Sequence, residues 1–390
     1  MKDIYLDNSA TTPLCEAAKV AMQSAMEVYG NPSSLHSVGQ AAHSLVEEAR
    51  RQIALTLGIR GTHEAGKLFF TSCGSESDNL ALLGTAYAKP RRKGGRIIST
   101  DSEHAGVENA LQALEADGFE VVRISTKGGE LDFAQLEEAL TPRTFLVSLM
   151  MVNNETGAQY DVARAFAMAK AVNPDIVTHT DAVQGYLKCR FAPHMIRADM
   201  VTVSAHKIHG PKGVGALYVS PEALKRRDFV PLLLGGGQEN GFRSGTENVI
   251  GIVGFGAAAK DGYASLNADL TYLRELRDYA CERLSELPVR LNLPKGKCAP
   301  HILNLTLPDI RSETMLHALS AEGISVSQGS ACSSHAAQVS RALLAFGLSA
   351  ADAECSIRIS FGRQNQKEDV DALIFALESA LDRLVRRKRN

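Results

Sequence analysis

Ser204-Ala-His-Lys207-Ile-His-Gly-Pro-Lys-Gly-Val-Gly-Ala-Leu-Tyr218 joins two short apolar runs, Met200–Ser204 and Gly215–Val219. Runs of that length ending in polar or Gly-containing turns read as buried β-strands. The lysine therefore stands just beyond a strand end, preceded by Ser and His and followed by Gly and Pro. A lysine amine in such a position forms a Schiff base with an aldehyde cofactor, provided the site desolvates it and lowers its pKa. Ser204 and His206 stand beside it as candidate phosphate ligands. The bland reading of the same stretch is a basic surface loop.

Outward from this segment the same pattern repeats. Lys67–Ser72, Arg96–Thr100, Glu120–Ser125, Thr144–Val152 and Ile176–Thr180 complete a set of seven strands. Helical patterns lie between them at Ser77–Ala88, Gly106–Asp117, Asp132–Leu140 and Val162–Val172. Such alternation predicts an α/β protein with a mostly parallel seven-stranded sheet covered on both faces. After residue 259 the pattern changes to a long charged helix, Leu266–Leu287, and then a strand Ile302–Thr306. Helices near Ser312–Ala321 and Ala336–Phe346, a strand Ser356–Ser360 and a final helix follow. The expected division is a large domain over residues 15–259 and a smaller α/β domain built from 1–14 and 260–390. Ile250–Ala259 reads as a separate buried helix broken by glycines.

Ligands of parallel α/β sheets bind at the carboxyl ends of the strands, and several polar motifs sit there. Thr180-Asp181-Ala-Val-Gln184 offers a carboxylate that, ionised, keeps a pyridine-type nitrogen protonated, with Gln184 for a ring hydroxyl. Alone, Asp181 also reads as a helix cap. Phe70-Thr-Ser-Cys-Gly-Ser-Glu-Ser-Asp-Asn79 runs from strand to helix through small residues, so Gly74 and Ser75 can present backbone N–H groups to a phosphate. His104 and Asn154 follow two further strands; His104 suits stacking on a flat ring and moving protons. Ser327-Gln-Gly-Ser-Ala-Cys332-Ser-Ser places a cysteine among small residues, with a helix capped at Ser333 or Ser334 expected to favour its thiolate. Arg358, on a strand, needs either a bidentate substrate carboxylate or a structural ion pair.

Composition sets bounds. The chain has 390 residues, 45% hydrophobic, with a net charge of −2. That supports a large core and implies no nucleic-acid partner. The one charge run, Arg386-Arg387-Lys388-Arg389, reads as the solvated end of a last helix. No apolar run approaches a membrane span of roughly 20 residues. Seven widely spaced cysteines without a C-x-x-C pair fit a reducing cytoplasm better than a disulfide framework.

Together these motifs resemble the cysteine desulfurases of the nitrogen-fixation and iron–sulfur-cluster type, in the class V aminotransferase group. The likeness runs from Tyr5-Leu-Asp-Asn-Ser-Ala-Thr-Thr-Pro13 to Arg363, through Gly30-Asn-Pro-Ser-Ser34, Val152-Asn-Asn-Glu155, Arg243-Ser-Gly-Thr246 and Gly329-Ser-Ala-Cys332. The resemblance implies a fold-type I homodimer that uses pyridoxal 5'-phosphate to convert L-cysteine to L-alanine. It implies Lys207 as the cofactor lysine, Asp181 on the ring nitrogen, Gln184 on the ring oxygen and His104 over the ring. It assigns the phosphate to Ser75, Ser204 and His206, with Thr246 reaching over from the other subunit. Asn154, Arg358 and Asn31 match substrate-binding positions, and Cys332 matches the cysteine that takes the sulfur as a persulfide. An iron–sulfur scaffold or another thiolation protein would then receive it.

The rival readings are a selenocysteine lyase, a non-catalytic assembly subunit and a metal hydrolase using His179-x-Asp181 and His206-x-x-His209. The Gly61–Lys67 stretch imitates a nucleotide-binding loop, but Leu68 replaces the Ser or Thr that binds magnesium.

Overall fold

The computed structural model describes residues 3–59, 67–328 and 339–389. Its centre is a seven-stranded sheet in the order Lys67–Thr71, Gly215–Val219, Met200–Ser204, Val177–Asp181, Thr144–Ser148, Arg96–Thr100, Glu120–Ile124. Gly215–Val219 runs antiparallel to both its neighbours, so the other six strands run one way. This is the mostly parallel sheet that the strand–helix alternation predicts. Successive strand residues face opposite sides, which splits the sheet's apolar residues between two cores. Phe69, Ile97, Leu146, Val177 and Leu217 pack with the helices Gly74–Tyr87 and Ala105–Ala116. Phe70, Ile98, Val147, Val201 and Ala216 pack on the other side with Ser37–Thr56 and Val162–Val172.

Residues expected to form two helices form one. Val249–Leu284 is a continuous helix of 36 residues that runs through position 259 and joins both ends of the molecule. Its glycines read in sequence as interruptions, but they permit close packing. A Cβ on Gly256 would lie 2.7 Å from the Cα of Ala49, on the neighbouring helix. The strand expected over Thr144–Val152 ends at Ser148, and the chain then turns into the site, with Val152 returning as an isolated bridge to Gln159.

A third core holds the smaller part together. Leu273, Leu276 and Leu284 of the long helix meet Leu303, Leu305, Ile357, Ile359 and the apolar face of the last helix, Lys367–Arg389. Strands Arg290–Leu291, Ile302–Thr306 and Ser356–Ser360 form its antiparallel sheet. Leu6 belongs to this core as well. The N-terminal strand Ile4–Tyr5 pairs in parallel with Ile324–Ser325, and Asp7 bridges to Ser360. The chain's first and last thirds are thereby tied together beside the carboxyl edge of the large sheet.

Candidate active site

A cavity of about 200 Å³ opens at that carboxyl edge. Its lining includes Ser9, Gly74, Ser75, His104, Asn154, Asp181, Gln184, Ser204, His206, Lys207 and Arg358. The structure thus brings together ten of the residues singled out in the sequence, most of them from strand ends or helix starts.

Lys207 closes a single 3₁₀ turn, Ala205–Lys207, directly after Met200–Ser204. Its Nζ donates to the carbonyl oxygens of Ser9 at 2.5 Å and Ala10 at 2.7 Å. These acceptors come from the N-terminal segment. The same segment organises the lysine's neighbours: Thr12 N–H and Oγ1 donate to the His206 carbonyl, and Thr12 Oγ1 accepts from His209 N–H. The His206 ring faces Thr11 Oγ1 at 3.3 Å, and burial, helped by the Lys207 charge, pushes its pKa down to about 3. His206 is therefore neutral at physiological pH.

Asp181 ends its strand with its carboxyl buried. Oδ1 accepts from Val183 N–H at 2.8 Å. Burial raises its pKa, while His104, the Val183 bond and Lys207 pull it back. Gln184, three residues on, donates to the Ser9 carbonyl at 2.9 Å and faces His301 Nε2 at 3.4 Å. Ser204 Oγ is buried without a protein partner among the described residues.

The helix Gly74–Tyr87 begins at the cavity wall, and its N-cap, Cys73, makes no side-chain cap bond. Early N–H groups and the positive end of the helix dipole thus face the cavity, the arrangement that receives an anion. Glycine is required at position 74, because a Cβ there would meet Val183 Cγ2 at 2.9 Å. His104 caps the helix Ala105–Ala116, its Nδ1 accepting from Gly106 N–H at 3.0 Å. In the neutral ring that bond leaves the proton on Nε2.

Arg358 makes the ion pair of its structural reading and also faces the cavity. It is almost wholly buried, its Nη2 is 2.7 Å from Asp7 Oδ1, and its Nη1 donates to the Asn154 carbonyl. It also lines the cavity, and its Nε has no protein partner among the described residues. Asn154 owes its position to Asn153, whose Oδ1 accepts from Glu155 N–H and from Thr156 N–H and Oγ1.

Two sequence candidates lie outside this cavity, and a third is not among the described residues. Asn31 is exposed on a turn, its Oδ1 accepting from Ser33 N–H. Thr246 is exposed and outside the cavity of its own chain. Cys332 and the Gly61–Gly66 stretch lie outside the described residues. Of the histidines considered as metal ligands, His179 is held between Ser148 Oγ and Thr202 Oγ1, and His209 Nδ1 faces the Pro13 carbonyl. Among the described residues no group of three or more His, Cys, Asp or Glu could hold a metal ion.

Motif reading missed Ser9 and Ala10, because backbone carbonyls carry no residue-type signal. It also missed Asp78, buried in the cavity wall with its pKa raised well above the ordinary value by burial and by Asp181. A second carboxylate in the first turns of that helix, four residues after Gly74, was the available sign.

Known proteins share this whole framework. A cysteine desulfurase IscS of Dictyoglomus turgidum is 37% identical over 389 residues, covering 98% of this chain and 95% of the relative. A cysteine desulfurase IscS 1 of Archaeoglobus fulgidus is 37% identical, covering 97% of each. Among solved structures, a NifS-like protein superposes with a TM-score of 0.90 at 34% identity, covering 98% of this chain and 100% of its own. A structure described as SspA in complex with cysteine gives 0.78 at 32% identity, covering 92% and 98%. The aminotransferase class-V model matches residues 4–373, and the chain belongs to that family.

Proposed function

We propose that this protein is a cysteine desulfurase that uses pyridoxal 5'-phosphate to turn L-cysteine into L-alanine, holding the sulfur on Cys332 for transfer to an acceptor. The observation that carries the reading is the convergence of Lys207, Asp181 and an uncapped helix start on one cavity. The names of its relatives, each similar over nearly the whole chain, support the same reaction.

The cavity's donors suit that cofactor. Lys207 offers the amine for the aldehyde. Ser204 Oγ, which lacks a protein partner, joins Ser75, His206 and the N–H groups at Gly74 as a phosphate cradle. Asp181 suits the ring nitrogen, Gln184 the ring oxygen and His104 the ring face. Bound there, the cofactor supplies an electron sink for the pair released when the substrate's α-proton leaves.

The rest is the work of the chain's own residues. Arg358, with Asn154, binds the substrate carboxylate. The Lys207 amine takes the α-proton and returns it. A cation against Asp181 reverses the effect of burial and keeps that carboxyl ionised. His104 holds a proton on Nε2 for transfer at the ring face. The Cys332 thiolate attacks the substrate sulfur: an S–S bond forms and the C–S bond breaks. The electron pair of the broken bond stays with the three-carbon fragment, which takes up a proton and leaves as L-alanine. Cys332 then carries a persulfide, and an acceptor such as an iron–sulfur scaffold takes its outer sulfur.

The test is direct. Purified holoenzyme given L-cysteine and a thiol reductant should release alanine and sulfide in equal amounts. Cofactor-loaded protein that releases no alanine would overturn the reading.

We read the active form as a homodimer, supported by Thr246, which is exposed and does not line its own cavity. In the partner's phosphate cradle its hydroxyl adds one charge-assisted hydrogen bond. Thr246→Ala should weaken cofactor retention about tenfold to a hundredfold and leave the melting temperature of the apo-protein unchanged. Equilibrium dialysis measures the first and thermal unfolding the second. A fully active monomer by light scattering would contradict the shared site. No helix among the described residues is long and apolar enough to cross a membrane, and we place the enzyme in the cytoplasm.

A further inference from the structure

His301 is fully buried, does not line the cavity and takes no part in the mechanism above. It stands directly before the strand Ile302–Thr306, in the smaller part of the molecule. Its backbone is pinned on both sides. The His301 carbonyl accepts from Phe361 N–H at 2.9 Å. Ile302 packs so closely on Gly157 that a Cβ there would lie 3.1 Å from the Ile302 carbonyl oxygen. From this support the ring reaches Gln184, in the turn after Val177–Asp181 of the large sheet.

The hydrogen bonds decide which atom is which. One end of the Gln184 amide lies 2.9 Å from the Ser9 carbonyl oxygen. A carbonyl oxygen only accepts, so that end is the NH2 group. The other end is the amide oxygen, and it faces His301 Nε2 at 3.4 Å. It is satisfied by a proton on Nε2. In a neutral imidazole Nδ1 is then bare, and Nδ1 has no protein partner among the described residues. The opposite tautomer would bury an unsatisfied N–H donor and set two acceptors against each other, which native interiors avoid. Burial first, then the Lys188, Arg358 and Lys207 charges, holds the ring's pKa well below the ordinary value, so it is neutral at physiological pH. The Gln184 NH2 has two hydrogens. One goes to Ser9, and the second is left for the cavity that Gln184 lines.

We propose that His301 is a positioning residue for Gln184: by donating from Nε2 to the amide oxygen it fixes the far end of the amide, so that the remaining Gln184 N–H is held toward the cofactor's ring oxygen. With Ser9 and His301 on its two ends the amide plane cannot turn; with Ser9 alone it can. A donor held on the ring oxygen stabilises negative charge there and lowers the proton affinity of the Schiff base beside it. Losing the donor, or letting it swing, therefore raises the pH at which the cofactor's visible band titrates.

This inference rests on the reading of Gln184 on the ring oxygen of a cofactor held by Lys207. The experiment compares wild type, His301→Leu, Gln184→Leu and the double variant as cofactor-loaded enzymes, reading visible absorbance against pH. Gln184→Leu checks the underlying reading: it should raise the titration midpoint by roughly one pH unit, and an unmoved midpoint there would overturn the Gln184 assignment before His301 is judged. With that shift in hand, His301→Leu should raise the midpoint by roughly half a unit and add nothing to Gln184→Leu, because it acts only through that amide. If leucine prevents accumulation, His301→Met serves under the same criteria. An unmoved midpoint in the His301 variant, or the same shift with and without Gln184, overturns the proposal. A second measurement needs no cofactor: nitrogen-15 NMR of histidine-labelled apo-protein should show the His301 proton on Nε2, and a proton on Nδ1 would overturn the proposal as well.

Discussion

Lys207→Ala should abolish the visible band of the purified holoenzyme and cut alanine release from L-cysteine by about 10²–10⁴-fold, the usual contribution of a positioned proton-transfer group. Wild-type protein should absorb near 400 nm or a little above, roughly where a protonated Schiff base absorbs. Borohydride should bleach it and fix the cofactor on the Lys207 peptide. The alanine protein should still fold. Lys207 sits in a single 3₁₀ turn after a fully buried strand, and the lost side chain packs no core. What the mutation leaves without its donor is the Ala10 carbonyl, since the Ser9 carbonyl keeps the bond from Gln184. Unsatisfied, such a group costs about 1–3 kcal/mol, so a lower melting temperature with an intact far-ultraviolet spectrum is the expected pattern. A Lys207→Ala protein that kept the wild-type band would remove Lys207 from its assigned role.

Cys332→Ser should separate the two halves of the reaction. Serine has nearly the same size, but its hydroxyl is almost wholly protonated at neutral pH, whereas a thiol is partly thiolate. The mutant should load cofactor normally and shift its spectrum when L-cysteine is added, since Lys207, Asp181 and Arg358 are untouched. Alanine release should fall at least on the order of 10³-fold, as when a catalytic nucleophile is removed, and no persulfide should form on the peptide containing position 332. Selenocysteine offers a contrast, because selenium leaves more readily and part of its release should survive. Undiminished alanine from L-cysteine in the mutant would point to a different sulfur acceptor and revive the selenocysteine-lyase reading.

The central sheet was legible in the sequence because its strands are short, apolar and punctuated. Arg96–Thr100, Met200–Ser204 and Gly215–Val219 have the bounds that patterning predicts. The cavity residues were legible for a related reason: in such a sheet, polar residues just past strand ends converge, and Asp181, His104 and Lys207 do. What patterning could not supply was contact at a distance. Glycines in Val249–Leu284 looked like a break because the helix packed against them is invisible in a linear reading. Arg358 was left between substrate and ion pair because Asp7 lies 351 positions away. Ser9 and Ala10 act through their carbonyls, which every residue possesses.

Synthesis of the chain gives that last contact a temporal meaning. Ser9 N–H donates to Ser360 Oγ, a partner 351 residues later, and Asn8 N–H donates to the Ser360 carbonyl. At about 5–20 residues per second, roughly 20 to 70 s separate the two ends of this clasp on the ribosome. For most of that time the first residues made have no strand to join, since among the described residues Ile4–Tyr5 pairs with Ile324–Ser325. Lys207 emerges midway, before its carbonyl acceptors are fixed. The large sheet can therefore close early, whereas the lysine's surroundings are finished only when the C-terminal third arrives. Cofactor capture becomes a late event in the life of the nascent chain, and a ribosome that stops short of Ser360 releases a folded sheet without a working pocket.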